Sequence, residues 1–317
     1  MSAEAAVEAF FVISGFYMAL TFEAHYRGAD GVWKFYLSRV VRLYPLYIAV
    51  LALMAAIFPI ARALRWPINA THSFDYFMSP VDGFQQVSVW SLFFQDILSI
   101  DPVREFLLPL RQAWSISAEL AFYLLTPALL LLRKSHLAVL ATVCFAIKGL
   151  ILNRYGFRAA YFPFPPQLGY FLLGILIYRL RDRLAFERRT AAWLATGFCL
   201  LAVSRLDLSF ESLLVPVVPV PNIVLIGTLC LAMPSATMHF RGRTAALLGD
   251  MSYGVYIMHL VVIDLLRALP LHVHRSLFTL LAITVAAALS MTFELTVQSR
   301  IDALRRRLFY TAGRTAT

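Results

Sequence analysis

AAVEAFFVISGFYMALTF, residues 5–22, sets how the whole chain is read. The run is apolar, lacks the period-two alternation of a half-buried strand, and is long enough to cross a bilayer as a helix. It starts almost at the first residue, with no positive flank before it and no cleavage site after it, so it is not a normal signal peptide. It also holds an acid, Glu8, just ahead of its most apolar part. Ser14 and Gly15 are small residues of the kind that let a neighbouring helix pack close.

The rest of the chain extends this pattern. Of 317 residues, 60% are hydrophobic and 15% charged, with mean hydropathy +0.73, where a soluble domain has roughly 45–50% and about 25%. Segments of spanning length fall at about 3–22, 44–62, 114–133, 136–153, 166–181, 190–206, 219–235, 251–269 and 275–296. No linker between them is long enough for a second domain. Backbone in contact with lipid must bond within its own segment or close into a barrel. Unbroken apolar runs exclude the barrel. The expected fold is therefore all-α, a polytopic membrane bundle of about nine transmembrane helices. Its domain covers residues 1–299, and residues 300–317 form a basic cytoplasmic tail.

The net charge of +10 does not point to nucleic acid, because of how it is distributed. With the connection 23–43 in the cytoplasm and sides alternating, the cytoplasmic connections hold 18 Lys and Arg and the other side holds 8. This follows the positive-inside rule and places the N-terminus outside and the C-terminus in the cytoplasm. Pro45 is expected in the first turn of the second helix. Cys144, Cys199 and Cys230 each fall in an apolar segment and form no framework, so packing is their expected role. His272 and His274 stand as HVH in a loop without a partner motif, so no metal site is expected.

Ionisable residues inside spanning segments cost roughly 2.5–3.5 kcal/mol each at the helix centre on insertion scales, so each calls for a reason. In the third segment, Ser115, Glu119, Tyr123 and Thr126 share one face, while Leu120, Leu124 and Leu131 can meet lipid. Glu119 reads as a general base or the orienter of one, or as an interfacial acid bonded to loop groups. In the eighth segment Ser252, Tyr256, His259, Ile263 and Arg267 share a face. His259 reads as a proton carrier or as a core histidine satisfied by a neighbour. Arg39 and Arg42, three apart, read as a fork for an anionic cytosolic ligand or as ordinary basic flanking. Lys148 and Asp264 read as structural or snorkelling residues.

In order, VEAFFVISGF (7–16), SRVVRLYPLY (38–47), WSISAELAFYLLTP (114–127), YFLLGILIY (170–178) and LGDMSYGVYIMH (248–259) resemble the acyltransferase-3 family of integral membrane O-acyltransferases. The resemblance implies a membrane enzyme that moves an acyl group, most often acetyl, from acyl-CoA to a hydroxyl of a cell-surface carbohydrate or glycolipid. Acyl-CoA would be co-substrate and no other cofactor is implied. Glu119 and His259 would then be catalytic, and Arg39 and Arg42 would hold the acyl donor. Ser115, Tyr123, Ser252, Tyr253 and Tyr256 would shape the cavity. Glu8 stands where the family usually has Asp. The family also normally carries one more helix ahead of FFVISGF, bearing an Arg and a His base. That helix is expected to be missing here, with little or no transferase activity as the consequence, and it would be the neighbour of Ser14 and Gly15. A glycan or lipid transporter remains the alternative, with Glu119 and His259 as a proton path.

Overall fold

The computed structural model describes residues 3–26, 28, 30–63, 110, 112, 114–184, 190, 227–234, 243–267, 269 and 273–310. Among them the helices are α1 (Ala3–His25), α2 (Gly31–Ala63), α3 (Trp114–Leu131), α4 (Lys134–Tyr155), α5 (Phe157–Tyr161), α6 (Phe164–Leu184), α7 (Arg243–Arg267), α8 (Arg275–Phe293) and α9 (Ser299–Tyr310). A π-helical turn, Glu294–Gln298, joins α8 to α9. The described residues contain no strand, as the apolar runs require.

Among the described residues, five helical stretches are long and apolar enough to cross a membrane: Ala6–His25, Gly31–Met54, Trp114–Leu131, Lys134–Tyr155 and Ser276–Leu304. α6 and α7 form where segments 166–181 and 251–269 are expected. Segment 190–206 beyond its first residue, most of 219–235, most of the loop 63–113, Cys199 and His272 lie outside the described residues. Exposed Leu124, Leu131, Leu150, Leu280 and Ile283 give the spans outer surfaces suited to lipid.

The chain forms two compact units. The first holds α1 and α3–α6. Its centre is the crossing of α1 and α6, where two glycines meet backbone from the opposite helix. A methyl on Gly15 would overlap the carbonyl of Phe171, and one on Gly174 would overlap the carbonyl of Val12. The close neighbour of Gly15 within this chain is thus α6. Phe171 stacks between Phe11 at 4.5 Å and Phe122 at 4.2 Å between ring centroids, tying α1, α6 and α3 together. α3 ends under Arg179 of α6, whose guanidinium donates to the carbonyls of Leu130 and Leu132. These are carbonyls that a helix end leaves without internal partners. Leu120, expected to face lipid, is buried here at 7% exposure, while Leu124 and Leu131 do face outward. The apolar arc of α3 is wider than lipid needs, and part of it serves the core.

The second unit holds α2 and α7–α9. α2 corrects the expected boundary: the basic connection 23–43 shrinks to the few residues between His25 and Gly31, and Arg39 and Arg42 stand on the helix itself. Pro45 is accordingly inside α2 rather than in its first turn. α7 packs along α8, and Gly254 lets them close up: a methyl there would overlap Ser290 and press on Leu46 of α2. Ser290 Oγ also donates to the Met251 carbonyl at 2.9 Å. His274 caps α8 by accepting from the Ser276 amide.

The α1–α6 crossing makes a direct prediction. Gly15→Ala should cost about 1–3 kcal/mol by overpacking, read as a lower unfolding midpoint in detergent. Gly149→Ala, on α4 where a methyl meets nothing within 4 Å, should hold or raise the midpoint, since Ala outranks Gly in a helix by up to about 1 kcal/mol. Equal losses at the two positions would refute the crossing.

Candidate functional site

In the first unit the polar stripe of α3 closes on α1. Glu119 is 5% exposed, and its Oε1 accepts from Ser14 Oγ at 3.0 Å and from the hydroxyl of Tyr123 one turn along α3. Helix period alone sets Tyr123 over Glu119. Ser14 reaches it because Gly15 lets α6, and with it the α1–α3 wall, draw in. Ser115 is buried on the same helix, and Thr126 turns its hydroxyl back to the Phe122 carbonyl. A carboxyl buried and held by hydroxyl donors has a fixed orientation and little water. Those are the conditions under which a proton acceptor, or the orienter of one, works.

A second buried acid lies in the same unit. Glu8 (6% exposed) meets Lys148 of α4 at 2.5 Å. The ammonium also donates to Tyr170 Oη at 3.2 Å and lies 4.5 Å from the centre of that ring. Lys148 therefore does not snorkel: it forms a buried ion pair joining α1, α4 and α6. The signal for it was present as one acid and one base in separate apolar segments, but nothing in the spacing matched them. Asp264 meets Arg267 in a half-exposed pair at 4.0 Å.

The second unit holds Arg39, Arg42, Ser252, Tyr253, Tyr256 and His259. Arg39 is buried at 9% exposure. Its Nε donates to Ser38 Oγ at 3.2 Å, and its guanidinium lies 5.5 Å from the Phe35 ring centre. Arg42, one turn on, is half-buried. Tyr253 donates to the Leu43 carbonyl at 2.9 Å, beside the Arg pair. Tyr256 donates to the Gln112 carbonyl at 3.0 Å, and Gln112 returns a bond to the Ile257 carbonyl at 2.7 Å. Gln112 was not anticipated, because it stands before the motif of α3. His259 Nδ1 lies 2.7 Å from the Tyr256 carbonyl. A carbonyl accepts, so Nδ1 carries the proton in this bond and Nε2 is the ring's remaining nitrogen. Ser252 is exposed and turned to the Gly249 carbonyl, on the outer side of α7. Among the described residues a separate apolar cleft of about 200 Å³ opens between α7 and α8, lined by Val262, Leu265, Leu266, Leu269, Val285 and Leu289. None of the expected cavity residues lines it.

A family model described as an acyltransferase domain matches residues 1–295. The chain belongs to the acyltransferase-3 family. No curated protein and no solved structure matches it. Membership gives each motif a physical task in this fold. VEAFFVISGF supplies the paired acid, the stacked Phe11, the Ser14 donor and the crossing glycine. YFLLGILIY supplies Tyr170, Phe171, Gly174 and Tyr178, the last donating to Glu23 at 2.9 Å. WSISAELAFYLLTP presents Glu119 with Tyr123. SRVVRLYPLY carries the arginines and the internal proline.

The ion pair carries its own prediction. Glu8→Gln should strand a buried ammonium and cost about 3–5 kcal/mol, measured as thermal stability of the protein in detergent. Glu8→Gln combined with Lys148→Met should recover most of that loss. Simple additivity of the two single effects would show that the charges do not depend on each other.

Proposed function

We propose that this chain transfers an acyl group, acetyl in the first instance, from acyl-CoA to a hydroxyl of a cell-surface carbohydrate or glycolipid. The observation that carries the reading is Glu119, at the family's motif position, buried and oriented by Ser14 and Tyr123. In the reaction the acceptor oxygen loses its proton and bonds to the thioester carbonyl carbon. The carbon–sulfur bond breaks, and CoA leaves as the thiol with the proton. In the first unit Glu119 is the group able to take or steer that proton. In the second, His259 can do so through Nε2. Arg39 and Arg42 bind the phosphates of the donor, since guanidinium forks match phosphate oxygens. Tyr253 and Tyr256 hold the helices that carry these groups.

On this reading the chain spans the bilayer about nine times, with the N-terminus outside and residues 300–317 in the cytoplasm. A basic arm near the cytoplasmic face is where a soluble anionic donor approaches.

The test is transfer of labelled acetyl from acetyl-CoA into membrane glycans. Glu119→Gln keeps the side chain's shape and should lower transfer by roughly 10²–10⁴-fold, the worth of general acid–base assistance, with the unfolding midpoint nearly unchanged. His259→Gln in parallel separates the two candidates. Arg42→Ala should weaken acetyl-CoA binding, measured at equilibrium on the purified protein. The acids buried within apolar helices favour one competing reading, proton-coupled transport. Glycan uptake without label transfer would establish that reading and overturn acyl transfer.

A further inference from the structure

Pro45 poses a problem that the fold solves outside the helix. A proline within a helix has no N–H for the carbonyl four residues back, and its ring crowds that carbonyl. For Pro45 the carbonyl is that of Val41, between Arg39 and Arg42. Gln298 Nε2 donates to it at 3.4 Å. Two residues on, the Leu43 carbonyl takes the hydroxyl of Tyr253. The basic arm of α2 is thus gripped from two directions where its own hydrogen bonding is interrupted.

The delivery of Gln298 is also unusual. It ends the π-helical turn Glu294–Gln298, in which the Ser299 amide reaches back to the Glu294 carbonyl, one residue further than an α-helix allows. Hydroxyls of Thr296 and Ser299 bond the carbonyls of Thr292 and Leu295, four residues back. Such turns are rare and cluster at functional sites. Gln298 is 5% exposed, and its Oε1 has no hydrogen-bond partner. In its buried position Gln298 thus makes its polar contact from Nε2 to Val41. It also lies past the stretch matched by the family model, residues 1–295.

We propose that Gln298 is a positioning residue of the acyl-donor site: it replaces the amide that Pro45 removes and, with Tyr253, fixes the arm of α2 that carries Arg39 and Arg42. This rests on the reading of those arginines as the donor's phosphate contacts. The grip itself does not.

Both parts can be read separately on the full chain in detergent. Hydrogen exchange over residues 38–47 reports the grip, and equilibrium binding of acetyl-CoA reports the donor site. Gln298→Met, close in shape but without the donor, should raise exchange in that segment and weaken acetyl-CoA binding, each by about fivefold, the weight of one hydrogen bond. Pro45→Ala restores a backbone donor to the Val41 carbonyl, so adding Gln298→Met to it should change either reading by less than about twofold. Gln298→Leu, which also lacks the donor, should behave like Gln298→Met and serves where Met does not fold. Unchanged exchange in Gln298→Met, or an equal effect with and without Pro45, overturns the grip. A changed exchange with unchanged acetyl-CoA affinity overturns the positioning role. Absence of acetyl-CoA binding to the unaltered chain, with exchange responding as expected, overturns the donor reading and leaves the grip standing.

Discussion

Everything in the first unit depends on how closely α1 and α6 cross. Helices in lipid gain little from excluding water, so their association relies on packing and on polar contacts that close approach permits. Gly15 and Gly174 remove the side-chain layer at the crossing point, and each sets its Cα against backbone of the other helix. With the axes that close, Phe171 slots between Phe11 and Phe122. Ser14 arrives within bonding distance of Glu119, and Glu8 within reach of Lys148. A side chain at either glycine would move all of these together, because they share two rigid helices.

The same unit buries two carboxyls and treats them differently. Glu8 is neutralised by a cation and further held through Tyr170. A pair of that kind gains little net stability over apolar replacements, but losing one partner is severe. Its physical effect is to make one register of α1, α4 and α6 the sole one that leaves no charge unmatched. Glu119 has hydroxyls against it instead. Those hydroxyls fix the direction of the carboxyl within the bundle. One acid is held by a cation and the other by hydroxyl donors.

In the second unit the constraint is an interrupted helix. α2 runs through Pro45 because the interruption is repaired by side chains of α7 and of the π-helical turn. The repair falls on the turn that carries the arginines, so tertiary contacts support the basic arm beside its own ladder. Tyr253 serves the unit as a fastener of α2, and His259 leans on its own helix through the Tyr256 carbonyl, which sets the tautomer.

Sequence by itself determined what short-range physics controls. Long apolar runs dictated helices and a membrane, and the 3.6-residue period placed Tyr123 over Glu119. The ordered motifs indicated the acyltransferase-3 family and pointed to Arg39, Arg42, Tyr253 and His259. Contacts between distant segments were not legible. Ser14 and Glu119 are 105 residues apart, and Glu8 and Lys148 are 140 apart; no spacing rule pairs residues across such distances. Local rules also misplaced Pro45 and Leu120. A proline looks like a helix start until a remote amide satisfies the carbonyl it orphans, and an apolar residue looks lipid-facing until another helix covers it. Helix type and polarity are decided residue by residue. Which helix covers which, and therefore which buried acid meets a cation and which meets hydroxyls, is decided only when the chain has folded.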